Sequence, residues 1–210
     1  MISRKEFSKD FDGKRLILRC HEMLKPQAEW LFNLIAEVAE EKGPVVFRGG
    51  YKIQVGWSIL TIALKGQNQF EIQEPDYSGD PFHKVREDIT CTLGVQAQMN
   101  DFTRKVGATP LATCFQDKII YSKGCLGEHR IYMERSPPEP CDSGWFIGKT
   151  TGEASHDDPS RLEACYTYEL LKLRPEIMKV LQLPDGYLVV FDGAEVEAVI
   201  DPRDQTVFSR

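Results

Sequence analysis

The stretch PQAEWLFNLIAEVAEEKG, residues 26–43, decides the fold class of this chain. Pro26 stands at a first-turn position where its missing N–H costs nothing. Leu31, Leu34, Ile35 and Val38 then recur on one stripe at helical spacing, and Gly43 stops the pattern. Glu29, Asn33, Glu37 and Glu40 occupy the opposite side. A helix with one apolar stripe needs a surface to cover. The residues that follow supply strand candidates at Val45 to Phe47, Lys52 to Leu64 and Phe70 to Ile72, with turns at Gly49-Gly50 and Lys65 to Asn68. Beyond the polar loop Glu74 to Pro81, the spacing of Val95, Met99, Phe102 and Val106 predicts a second helix over about 89–106, with Gly94 as its weak point and Gly107 as its stop.

Working downstream, Lys118 to Tyr121 and Arg130 to Glu134 read as short strands, and Ser136 to Pro140 as a break. Asp158-Pro159 and Arg174-Pro175 read as helix entries, since an aspartate can cap free amides and a proline has no donor to lose there. Pro175 to Leu181 is then a short helix, closed by the turn Leu183-Pro184-Asp185-Gly186. Asp192-Gly193 joins Tyr187 to Phe191 with Ala194 to Ile200 as a hairpin whose two central positions both want positive φ. The expected class is α+β. Two packed α+β units are expected, residues 1–110 and 111–210, each a small and mainly antiparallel sheet with covering helices.

Charge narrows the partners. Residues 1–108 carry 15 acidic and 15 basic side chains, so the whole net charge of −6 comes from residues 109–210, with 17 acidic against 11 basic. Such a surface disfavours phosphate backbones, so no nucleic-acid partner is expected, and it favours a basic protein. The most apolar window, Ile53 to Leu64, falls well short of the roughly 20 residues a spanning helix needs. No apolar run follows the charged start, so the expected location is the cytoplasm, with no membrane partner. Cys20, Cys91, Cys114, Cys125, Cys141 and Cys165 show no C-x-x-C spacing and read as reduced, inert thiols rather than zinc ligands.

Catalytic constellations are not apparent. His156-Asp157-Asp158, with Glu153 nearby, is the one dense group, but neighbours on one loop point in different directions, and Asp158 has a capping task before Pro159. The glycines of Ser122 to Gly127 and of Gly148-Lys149-Thr150 lack the spacing of a phosphate loop. These readings point away from an enzyme and imply no metal and no cofactor. A hydrolase or ligand-binding protein using the loop from His156 to Asp158 is the alternative.

Asp142-Ser143-Gly144-Trp145 changes the weight of these readings. Tyr132-Met133-Glu134-Arg135 and Pro137 precede it, Asp158-Pro159 follows, and Pro175, Ile177, Leu181, Pro184 and Gly186 close the pattern. In that order these residues make the segment from about Cys114 to Val199 resemble the bacterial immunity protein 33 domain. In the family the anchor runs into an aromatic pair and a Gly-Asp-Glu stretch, whereas here Phe146-Ile147-Gly148-Lys149-Thr150-Thr151 intervenes. The resemblance implies an immunity protein of a polymorphic toxin system, of the kind linked to type VI secretion, that binds and neutralises a cognate toxin or secreted effector. A basic nuclease is a toxin class that suits the acidic half, and an effector adaptor is a further alternative. Asp142, Glu153, His156, Asp157 and Asp158 are the candidate toxin contacts. Ser143, Gly144 and Trp145 are the structural anchor, read as a turn held by local hydrogen bonds with the indole in the core.

Overall fold

The computed structural model describes residues 3–151 and 158–210. The chain divides into two compact units, Met1–Ala97 and Gln98–Arg210. Each combines helix with a mainly antiparallel sheet, so the class is α+β.

The first unit opens with a hairpin that the apolar pattern does not announce. Strand β1 (Arg4–Phe11) is exposed along nearly its whole length, while β2 (Lys14–His21) alternates and buries Leu16, Leu18 and Cys20. Asp12 and Gly13 join them with φ of 46° and 78°, the double positive-φ turn that suits strand twist. Helix α1 (Lys25–Lys42) begins with Pro26 in its first turn and buries Ala28, Leu31, Phe32 and Ile35. Val45 to Phe47, expected as a strand, lies instead in a 3-10 helix over Gly43–Phe47. The reason is local: Gly43 turns at φ 72°, and Pro44 fixes its own φ and has no N–H to give a ladder. Strands β3 (Tyr51–Val55), β4 (Ser58–Gly66), β5 (Gln69–Pro75) and the short β6 (Val85–Arg86) complete a sheet of order β1-β2-β5-β4-β3, with β6 on β5. Only β2 and β5 run parallel. Leu16, Leu18, Ile35, Leu60, Ile62 and Ile72 share one core.

Glu71, paired with Ile17 in register and fully buried, is held by the ammonium of Lys65 at 2.9 Å and by the guanidinium of Arg19. Glu87 bridges the same two cations at 2.5 and 2.9 Å, so the burial of this carboxylate is compensated by charge.

Helix α2 (Thr90–Val106) matches the expected second helix, and the division between the units falls inside it. Asp88 caps it by accepting from Thr90 N–H at 3.0 Å. Glu74, 2% exposed, accepts from Thr92 N–H at 2.8 Å. Burial pushes the Glu74 carboxyl up to about 7, despite the bond from Thr92.

The second unit is built on β7 (Lys118–Ser122), β8 (Arg130–Arg135), β9 (Asp142–Lys149), β10 (Leu162–Tyr166), β11 (Leu188–Asp192), β12 (Glu195–Ile200) and β13 (Thr206–Ser209). Their order is β10-β7-β9-β8-β11-β12-β13, with β7 and β9 the one parallel pair. Helix α3 (Leu170–Leu173) and the 3-10 helix Pro175–Val180 contribute Leu170, Ile177, Met178 and Val180 to a core that includes Ile131, Met133, Trp145, Ile147, Val189 and Phe191. Both Pro-led entries open 3-10 helices, Pro175–Val180 being the expected short helix and Pro159–Arg161 a single turn. After Asp158 only Pro159–Arg161 remain before β10 begins, too few residues to pass the α-helical nucleus. The hairpin turn is also shifted. Asp192 pairs with Glu195, which leaves Gly193-Ala194 as the loop, and of the expected pair only Gly193 has positive φ, 59°. Among the described residues no helix is long and apolar enough to cross a membrane.

Candidate functional site

The anchor Asp142-Ser143-Gly144-Trp145 is the start of β9, and it is bulged. Lys118 pairs with Asp142, yet Ile120 pairs with Phe146, so four steps on β9 face two on β7. Gly144 makes this bulge at φ 75°, where a Cβ would collide with the carbonyl oxygen of Ser136. Local bonds hold it. Gly144 N–H donates to Asp142 Oδ1 at 2.8 Å. Ser143 Oγ accepts from Trp145 N–H at 3.1 Å and donates to the Lys118 carbonyl at 2.7 Å. The surplus residues swing Trp145 into the core at 1% exposure, where its indole N–H donates to the Leu181 carbonyl at 3.0 Å. The expected turn is thus a strand bulge with the same local bonds.

Arg135, at the end of β8, is the residue around which this region is organised, and it was not singled out from the sequence as a site. Its Nε donates to the Ser143 carbonyl at 3.0 Å, and Nη1 to the carbonyls of Leu111 at 2.8 Å, Leu181 at 3.2 Å and Leu183 at 2.5 Å. Nη2 donates to the Ala112 carbonyl at 3.2 Å, and the guanidinium lies 5.6 Å from the centre of the Trp145 ring. The side chain is 3% exposed, and burial lowers its pKa to about 10, with Asp185 and Asp117 opposing the shift. The signal was present in the alternation: Ile131 and Met133 face the core, so position 135 does too. Arg174, 8% exposed, plays a smaller version of this part. It donates to the carbonyls of Leu126, Glu128 and Gly193 and forms an ion pair with Glu176 at 2.6 Å.

The second face of the seven-stranded sheet is different in character. Register places Ile120 beside Phe146, Phe146 beside Glu134, Glu134 beside Leu188, and Leu188 beside Ile200. One step along, Gly148 pairs with Tyr132, Tyr132 with Val190, and Val190 with Ala198. Cross-strand partners share a face, so these residues form one strip across five strands that is apolar apart from Glu134, each of them but the buried Gly148 half-buried. Gly148 permits it, because a Cβ there would strike the Tyr132 ring, and the rings of Tyr132 and Phe146 lie 6.1 Å apart. At one end the strip reaches a notch of about 270 Å³ lined by Glu134, Tyr187, Leu188, Ile200, Asp201 and Asp204.

Of the expected contacts, Asp142 is at the bulge and spends one oxygen on Gly144 N–H. Asp158 is exposed and accepts from the N–H and hydroxyl of Ser160 at 3.0 and 2.6 Å, bonds that lower its pKa. Glu153, His156 and Asp157 lie outside the described residues.

The family profile of the Imm33-like domain matches residues 98–202, half of the chain, and covers the bulge, Arg135 and the strip alike. No curated protein matches the chain. No solved structure matches it either.

Proposed function

The chain belongs to the Imm33-like domain family, and on that premise we propose that it is an immunity protein which binds a cognate bacterial toxin or secreted effector and neutralises it stoichiometrically. The observation that carries this reading is the match over residues 98–202, the segment that also holds most of the acidic surplus. The chemistry of the region agrees. Arg135, Ser143, Asp142 and Asp158 all use their polar atoms to hold backbone, which is what a binding scaffold requires and what an acid–base site does not. The protein acts in the cytoplasm and is not an enzyme. A basic nuclease is the toxin class that its charge fits, through steering of encounter. Asp142 and Asp158, with Glu153, His156 and Asp157, are proposed as toxin contacts.

Co-expression with the product of the adjacent gene tests the reading. Rescue of growth together with a stable one-to-one complex is the expected result. Unrelieved toxicity with no complex would overturn it and favour the adaptor or hydrolase alternatives.

A further inference from the structure

We infer that the first unit binds a linear organic dication of the alkyl diamine class, in the cavity formed by the β1–β2 turn, the end of α1 and the 3-10 helix Gly43–Phe47. Every residue concerned lies outside the matched domain, so the inference does not depend on the immunity reading.

Three local features build the cavity. Asp12 and Gly13 turn the chain with positive φ, which sets Asp10, Phe11 and Lys14 around one hairpin end. Helix α1 brings Ala36, Ala39 and Glu40 from its last two turns, and Gly43 and Pro44 then bend the chain so that Phe47 returns to the same space. The volume is about 450 Å³, within the range of about 300 to 1,000 Å³ typical of small-ligand sites. Much of the wall is apolar: Phe11 and Phe47, ring centres 5.4 Å apart, stand with Ala36, Ala39 and Pro44.

The acidic charges on the wall are uncompensated. Asp10, Asp12 and Glu40 are exposed, and among the described residues none of them has an ion pair or a side-chain hydrogen bond. Elsewhere in the unit Glu6, Glu71, Glu87, Asp76, Asp80 and Asp88 each pair with a basic side chain. The two lysines at hand are spent otherwise. Lys9 Nζ donates to Asn33 Oδ1 at 2.8 Å, and Lys14 Nζ lies 5.3 Å from the centre of the Phe47 ring. Lys14 also shows what this wall accepts, because it is an ammonium held over an aromatic ring of the same cavity. Three carboxylates against one ammonium leave two negative charges, and the C-terminal end of α1 adds its partial negative charge. A single metal ion does not answer them: among the described residues no three acidic, His or Cys side chains are placed to share one. Separated carboxylates and apolar walls fit instead a cation with two heads and an alkyl stem.

The test is calorimetric titration of the full chain with 1,5-diaminopentane at about 50 mM salt, where surface charges are little screened. Butylamine is the one-headed comparison and magnesium chloride the metal comparison. The expected result is one-to-one diamine binding about three- to tenfold tighter than that of the monoamine, with no binding of magnesium. Amide NMR shifts on diamine addition should be confined to residues 10–14 and 36–47. Asp12→Asn with Glu40→Gln removes two counter-charges, and asparagine tolerates the φ of 46° at position 12. That variant should bind the diamine about three- to tenfold more weakly. Glu22→Gln with Glu29→Gln makes an equal charge change elsewhere in the unit and should stay within about twofold of wild type. Thermal melts report folding. Lack of diamine binding by the folded wild type, equal affinity for the monoamine, or equal weakening in the two double variants would overturn the assignment. Magnesium binding at the same amides, or diamine shifts spread over other surfaces, would overturn it as well.

Discussion

Replacing Arg135 by methionine keeps a long apolar stem on β8 and removes five donors from the interior of the second unit. The carbonyls of Leu111, Ala112, Ser143, Leu181 and Leu183 each lose that partner. The Leu181 carbonyl keeps Thr113 Oγ1 and Trp145 Nε1, so four carbonyls bear the change. At about 1 to 2 kcal/mol for each buried acceptor left without this donor, the loss is about 4 to 8 kcal/mol. Against this stands relief from burying a cation. Its pKa falls from 12.5 to about 10 through desolvation, which corresponds to about 3 kcal/mol at 1.36 kcal/mol per pH unit. The net expectation is a destabilisation of about 3 kcal/mol. Arg135→Lys should recover little of it, since an ammonium cannot span carbonyls from three separate segments. Urea unfolding followed by tryptophan fluorescence gives the magnitude, and hydrogen exchange of peptides over 111–113 and 181–183 gives the location. A methionine variant with wild-type midpoint and wild-type exchange would refute the view that this guanidinium holds those segments together.

Burial and backbone geometry at three other residues have consequences of the same kind. Glu74 has its folded pKa raised from 4.5 to about 7 by burial, so its protonated form is favoured by folding. Its contribution is therefore full below about pH 4.5 and lost as pH rises through 7, about 3 kcal/mol in all, and Glu74→Gln should flatten that slope. Identical pH–stability profiles for the two proteins would count against it. Gly144→Ala should cost about 3 kcal/mol or more, because it combines positive φ with a collision against the Ser136 carbonyl, and thermal unfolding reads this directly. Cys141 is the exposed thiol. The thiols of Cys20 and Cys125 are pushed up to about 11, and those of Cys91 and Cys165 to about 12, all chiefly by burial, so an aromatic disulfide reagent at pH 8 should label Cys141 first. Loss of the fast phase in Cys141→Ser confirms the assignment, and its persistence contradicts it.

Much of the architecture was legible because periodicity is a local signal. The stripe of α1, the spacing of α2 and the alternation of β8, β11 and β12 each report one buried side of one element. The misses have local explanations as well. β1 has too little burial to alternate, although Asp12-Gly13 carried the very turn signal credited to Asp192-Gly193. Val45 to Phe47 have strand-like side chains, but Pro44 overrode them.

What the sequence by itself determined is the α+β class, the acidic character of residues 109–210 and the ordered motif around Asp142 to Trp145, because composition and local spacing are properties of the chain alone. What only the tertiary structure decided is what those residues face. Arg135 became an internal cross-link because β8 ends where the carbonyls of residues 111, 112, 143, 181 and 183 converge, a meeting of segments up to 72 residues apart. The strip from Ile120 to Ile200 exists only once five strands are in register, since strand order and register are set by long-range pairing that no window of sequence contains.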